Sequence, residues 1–269
     1  MPLKLWRPRF FSATALCAGS IAPDLEFVIR PTQAGIGHSV VGQFVFCLPL
    51  SVAISWLVAR FVGPALAKHL PRVARWRLED LGRIGNPLGS LRSLRVVVGS
   101  SLVGSFSHLG LDQFTHSGTW VTRCLPGLQG TVRLFGERVP WPLALQLGVT
   151  AIGAAAVVPV FDRVLARGVS EEGSPPSAST SLADPPGSRL ATAMLVAAPV
   201  AAALAAFALS RSVIAESRLY FHLGRVYVWG YVAFRAFCAA FVALTLVTIV
   251  LEGTANLPRF GKRPLRGQR

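Results

Sequence analysis

Residues 96–114 read VVVGSSLVGSFSHLGLDQF, an apolar run of the length needed to cross the hydrocarbon core of a bilayer, which takes about 20 residues of helix. Its ionisable side chains are His108 and Asp112, and His116 follows at its exit. The three are spaced four residues apart, so on a helix they project from nearly one face. Two imidazoles and a carboxylate in such a segment are costly unless something pairs with them, and a bound cation is a partner that suits His and Asp together.

The same kind of run recurs on both sides. Apolar stretches of spanning length are Val40–Val62, Leu94–Phe114, Leu143–Phe161, Leu190–Leu209 and Val226–Leu251, with a weaker sixth, Phe11–Ile29, interrupted by Pro23, Asp24 and Glu26. Hydrophobic residues make up 52% of the 269 and charged residues 14%, more apolar surface than one water-soluble core of this size buries. The expected fold is therefore all-α: a polytopic transmembrane helical bundle of six spans, or five plus a re-entrant N-terminal segment. Lys4, Arg7 and Arg9 precede the first run as in a signal peptide, but no small-x-small cleavage site follows, so the segment is read as retained. The cysteines Cys17, Cys47, Cys124 and Cys238 have no CxxC spacing and suggest neither a disulfide framework nor a thiolate site.

A net charge of +15 raises the question of nucleic acid, yet the charges fall where topology puts them. With six crossings and the N-terminus inside, nineteen of the 27 Lys and Arg lie on inner segments, the bias expected of a membrane protein with cytoplasmic termini. Nucleic acid is thus not an expected partner. The inner stretch Pro64–Ser93 mixes Leu, Val73 and Trp76 with Lys68, Arg72, Arg75 and Arg77, a composition that fits an amphipathic helix on anionic lipid and equally a solvated inner loop. The outer stretch Thr115–Trp141 carries too many Gly and Pro for a long helix and is expected to fold back as a loop. Ser- and Pro-rich residues 168–189 read as a flexible linker between a membrane module, 1–167, and a two-span scaffold with a basic tail, 190–269.

This topology collects polar groups on the outer side: Asp24 toward the end of the first run, His38 at the start of the second, and His108, Asp112 and His116 in the third. Imidazole and carboxylate ligands suit zinc or manganese, and a catalytic site keeps one position open for water or substrate. The bare spacing also fits a structural His–Asp pairing or a proton or ion pathway.

The strings Met1-Pro2, Gly19-Ser20-Ile21-Ala22-Pro23-Asp24, His38-Ser39 and His108-Leu-Gly-Leu-Asp-Gln-Phe-Thr-His116 resemble bacterial membrane proteins grouped as domain of unknown function 4184. That group is in turn similar to inner-membrane proteins described as membrane-bound metal-dependent hydrolases, some also as LexA-binding. The resemblance covers most of the chain and implies a multi-span protein of the bacterial inner membrane. It also implies a metal site built from Asp24, His38, His108, Asp112 and His116, with Asp24 and Asp112 as the catalytic carboxylates. Relatives carry a histidine near the start, where this chain has Arg7. The readings carried forward are a metal-dependent hydrolase acting at the outer interface on a phosphoester or lipid head group, a non-enzymatic scaffold lacking that histidine, and, less favoured, a transporter.

Overall fold

In lipid an unpaired backbone N–H or C=O has no water to turn to, so apolar stretches close their hydrogen bonds internally as helices. The computed structural model of the chain follows that rule and describes residues 2–29, 35–70, 75–134, 137–167, 189–216 and 224–255. Helix α1 is Pro2–Trp6, α2 is Ala13–Ile29, and α3 is the continuous Val40–His69. Then come α4, Leu91–Thr115, the short α5, Trp120–Cys124, and a hairpin of β1, Thr131–Leu134, with β2, Glu137–Pro140. Helices α6, Trp141–Arg167, α7, Arg189–Glu216, and α8, Gly224–Ala255, complete the chain. Among the described residues five segments are long and apolar enough to cross a membrane: Val40–His69, Leu91–Cys124, Trp141–Ala166, Arg189–Ser210 and Val232–Gly253. They correspond to the five strong runs of the sequence, and the described architecture is all-α apart from one hairpin.

Burial is inverted relative to a water-soluble protein. Large apolar side chains such as Ile152, Val158, Leu190 and Leu246 face outward, while Gln43, Ser51, Ser55, Ser100, Ser101 and Ser105 are buried. A lipid solvent would make this arrangement favourable, because apolar side chains gain nothing from hiding in it and small residues let helices approach closely. Ser51 and Ser55 satisfy their hydroxyls on the carbonyls of Cys47 and Ser51, at 2.6 and 2.8 Å.

The contact that positions the site is α2 against α4, which run parallel. Ser12 N donates to Ser100 Oγ at 2.9 Å near the start of α2, and Asp24 lies beside His108 near its end. Ala15, Ala18 and Ala22 of α2 and Ser100, Ser101 and Ser105 of α4 are buried, and Gly19 and Gly104 stand where the two helices approach most closely. A Cβ on Gly19 would run into the Ser101 carbonyl, and one on Gly104 into the Leu16 carbonyl, so no larger residue allows this separation. Helix α2 runs unbroken through buried Pro23, and Asp24 lies within it rather than capping a new helix. Across the 12 residues from Ser12 to Asp24 the helix rises about 18 Å. The cluster side chains therefore sit toward the Thr115 end of α4 and the N-terminal segment toward its other end.

The inner stretch Pro64–Ser93 is not one amphipathic helix. Helix α3 ends at His69, residues 71–74 lie outside the described set, and Leu78–Arg83 form a 3-10 turn before irregular chain leads to α4. Buried Asp80 draws Arg77 Nε to 3.0 Å and Arg83 to 3.1 Å, while Asp162 of α6 pairs with Arg75 and accepts from Trp76 Nε1 at 2.8 Å. Those basic residues turn toward acids of the fold, and Gly82, Gly85, Pro87 and Gly89 break the helical period. In the following loop Trp141 N donates to Gly130 O at 3.2 Å, tying the hairpin to the start of α6.

The chain divides into two units, Met1–Pro186 and Gly187–Arg269. In the second, α7 and α8 pack along each other, with Val232, Cys238, Thr245 and Thr248 buried. Residues 168–188, expected as a linker, and the basic tail 256–269 lie outside the described residues.

Candidate metal centre

Three segments bring their ionisable groups to one point. Helix α2 contributes Asp24, α4 contributes His108 and Asp112, and a 3-10 turn over Ile36–His38 contributes His38. That turn is fixed by two buried side chains. Glu26, two residues past Asp24 on α2, accepts from Gly37 N at 2.8 Å and Ile36 N at 3.3 Å. Gln43 donates through Nε2 to Gly37 O at 2.6 Å and Ser39 O at 3.3 Å. Ser39 caps α3 by accepting from Gly42 N at 2.9 Å. Gly37 is pressed so close to α2 that a Cβ there would stand 2.8 Å from the Pro23 carbonyl oxygen.

The resulting geometry is a closed ring of alternating donors. His38 Nε2 lies 3.4 Å from Asp24 Oδ1 and 3.4 Å from Asp112 Oδ2. His108 Nε2 lies 3.4 Å from the same Asp24 oxygen and 3.2 Å from the same Asp112 oxygen. The two imidazoles meet edge to face with centroids 5.6 Å apart. Three of these four edges are longer than the usual N–H···O range of about 2.7–3.2 Å. Such spacings also suit neighbouring ligands of one cation, since metal–ligand bonds of about 2.0–2.1 Å put adjacent ligand atoms about 3.3–3.4 Å apart. His108 Nε2 and Asp112 Oδ2 are buried and make no hydrogen bond of acceptable angle, although they face each other. Buried polar atoms are rarely left so, and a shared ion is one explanation for two of them aimed at the same space. Ligand atoms of Asp24, His38 and His108 all fall within 4.8 Å of one another, a group able to hold a metal ion.

Burial opposes charge on His38, but its contacts with Asp112 and Asp24 outweigh that cost and lift its pKa to about 9. The carboxylates thus favour any cation at this point, proton or metal.

His116 stands apart from the ring. Helix α4 ends at Thr115, His116 takes extended backbone angles, and its Nδ1 reaches the other Asp112 oxygen, Oδ1, at 3.5 Å and Thr115 Oγ1 at 3.3 Å. Of the five residues singled out by sequence, four share one ring and the fifth touches it through Asp112. Arg7 lies against Trp6 with its guanidinium 4.9 Å from the ring centroid, and it precedes the Ser100 end of α2, the end away from Asp24.

Sequence reading missed Glu26 and Gln43. Glu26 had been counted as an interruption of an apolar run, yet a carboxylate in such a run is itself a sign of a specific partner. Gln43 carries no comparable signal.

No curated protein and no solved structure matches the chain. Residues 1–253 match the family described as Domain of unknown function (DUF4184), and with nearly the whole chain covered the protein belongs to that family.

Proposed function

We propose that the protein is a metal-dependent hydrolase of the bacterial inner membrane, acting at the outer membrane–water interface on a phosphoester. The observation that carries this reading is the group Asp24, His38 and His108, whose ligand atoms all lie within 4.8 Å of one another, with Asp112 closing a ring of N···O contacts of 3.2–3.4 Å. A zinc or manganese ion held there would supply Lewis acidity toward a phosphoryl oxygen and acidify water. His38 and His108 bind through Nε2. Asp24 shares the ligand group with His38 and His108 and would complete the protein ligands of the ion. Asp112 faces the imidazoles through Oδ2 and His116 through Oδ1. The proton of the attacking water goes to Asp112, and His116, 41% exposed and 3.5 Å from Asp112 Oδ1, passes it on toward solvent.

The placement is part of the proposal. Helix α2 makes a sixth crossing, supported by its course parallel to α4 and its 17 residues, about 25 Å of helix. With the basic end of the bundle inside, the ring lies in the outer half of the membrane. Metal analysis of detergent-purified protein, wild type beside Asp24→Ala, tests the reading. One ion per chain in the wild type, lost in the variant, is expected; no retained metal in either removes it.

A further inference from the structure

Resting on the hydrolase reading, a second feature of the same face bears on the kind of phosphoester. A groove of about 700 Å³ runs along α3 where it packs on α4, lined by Phe44, Leu48, Val52, Trp56, Leu88 and Val98. Every lining residue is apolar, and the groove lies on two helices of spanning length, so what enters it comes from the hydrocarbon layer. One end of it lies near the level of the metal centre along α3 and α4. Phe44 packs edge to face on Phe106 with centroids 5.9 Å apart; Phe106 stands two residues before His108, and Phe44 six after His38.

The dimensions favour a single acyl chain. Ten residues separate Val98 from His108 along α4, about 15 Å of helix, and one leaflet contributes half of a hydrocarbon core about 30 Å thick. A chain lying in the groove with its far end at Val98 has its polar end at the level of the ring.

We propose that this groove seats one acyl chain of an outer-leaflet phospholipid and so presents the head-group phosphoester to Asp24, His38, His108 and Asp112. The substrate class is then a membrane lipid, entering sideways from the bilayer, rather than a soluble phosphoester entering from water.

Ala53 is exposed at the groove and makes the test specific. The protein is placed in phosphatidylethanolamine–phosphatidylglycerol vesicles containing a phospholipid with a photoactivatable diazirine in its chain, and cross-links are mapped by mass spectrometry. Label concentrated on Phe44–Trp56 and around Val98 is expected, with loss in Ala53→Trp and partial loss in Ala53→Leu. Ile152→Trp, on another lipid-facing surface, leaves it in place. Label spread evenly over outward residues such as Ile152 and Leu246, or unchanged in Ala53→Trp, overturns the proposal. Metal content, measured on the same samples, separates the two ideas: groove labelling without bound metal removes the hydrolase reading alone, and bound metal without groove labelling removes the lipid proposal alone.

Discussion

Gly19→Ala tests the way the fold builds the site. In an ordinary helix interior this change stabilises by about 1 kcal/mol, because alanine loses less backbone freedom. Here the new methyl would approach the Ser101 carbonyl oxygen to within about 1.2 Å less than ordinary contact, and a backbone carbonyl of a packed helix has no rotamer with which to escape. Helices α2 and α4 must therefore part by about an ångström, and overpacking of this kind typically costs about 1–3 kcal/mol. Asp24 moves with α2. If it retreats by that amount, a ligand bond of about 2.1 Å becomes about 3 Å, beyond the tolerance of about 0.2 Å that a coordinated carboxylate allows. Gly19→Ala is thus expected to lower the thermal midpoint in detergent and weaken zinc binding, measured by competition with a fluorescent chelator, at least as much as the roughly 10–100-fold of a displaced supporting residue. Gly99→Ala and Gly110→Ala, where a Cβ meets nothing within 4 Å, serve as matched controls and should bind as the wild type does. A Gly19→Ala protein that is more stable and binds zinc normally would refute both the close approach of α2 and its role in placing Asp24.

Three further outcomes follow from the same geometry. Glu26→Ala frees the Ile36–His38 turn and should weaken zinc binding about 10–100-fold by the same titration, while Glu26→Gln, which keeps one acceptor, should lose less. The metal-free protein should lose stability as pH rises through about 9, because the His38 pKa lies above its unfolded value; that contribution is complete below about 6.5. Zinc affinity should move the opposite way and climb over the same range, since a proton on His38 competes with the ion, and thermal melts and zinc titrations across that window read both. Asp80→Ala should lower the thermal midpoint, costing about 1–3 kcal/mol by stranding Arg77 and Arg83, and leave zinc affinity unchanged because Asp80 belongs to the turn at the other end of α4.

The spans were legible because an apolar run of bilayer length has few alternatives: Val40–Val62 and Leu143–Phe161 reappear inside Val40–His69 and Trp141–Ala166. Stretches whose structure depends on a partner elsewhere were not. Arg75 and Arg77 read as part of a lipid-facing basic pattern, and only the fold reveals that Asp162 and buried Asp80 hold them. The hairpin 131–140 hides in a loop whose glycines say only that no long helix forms. At the site, spacing alone placed His108 and Asp112 on one face of α4, but it also placed His116 there, because nothing in the spacing announces that the helix stops at Thr115. Asp24 and His38 were gathered by counting crossings. Their actual meeting depends on Gly19, Gly104 and Gly37, where the absence of a side chain is what brings the segments together.

The central claim is that one cation is held by the imidazole nitrogens of His38 and His108 together with the Asp24 carboxylate. X-ray absorption at the zinc edge of the purified, zinc-loaded protein addresses it directly. The account predicts a first shell of nitrogen and oxygen at about 2.0–2.1 Å with the outer-shell scattering of two imidazoles, reduced to one in His38→Ala. A shell containing sulfur, or one without imidazole scattering, would contradict it.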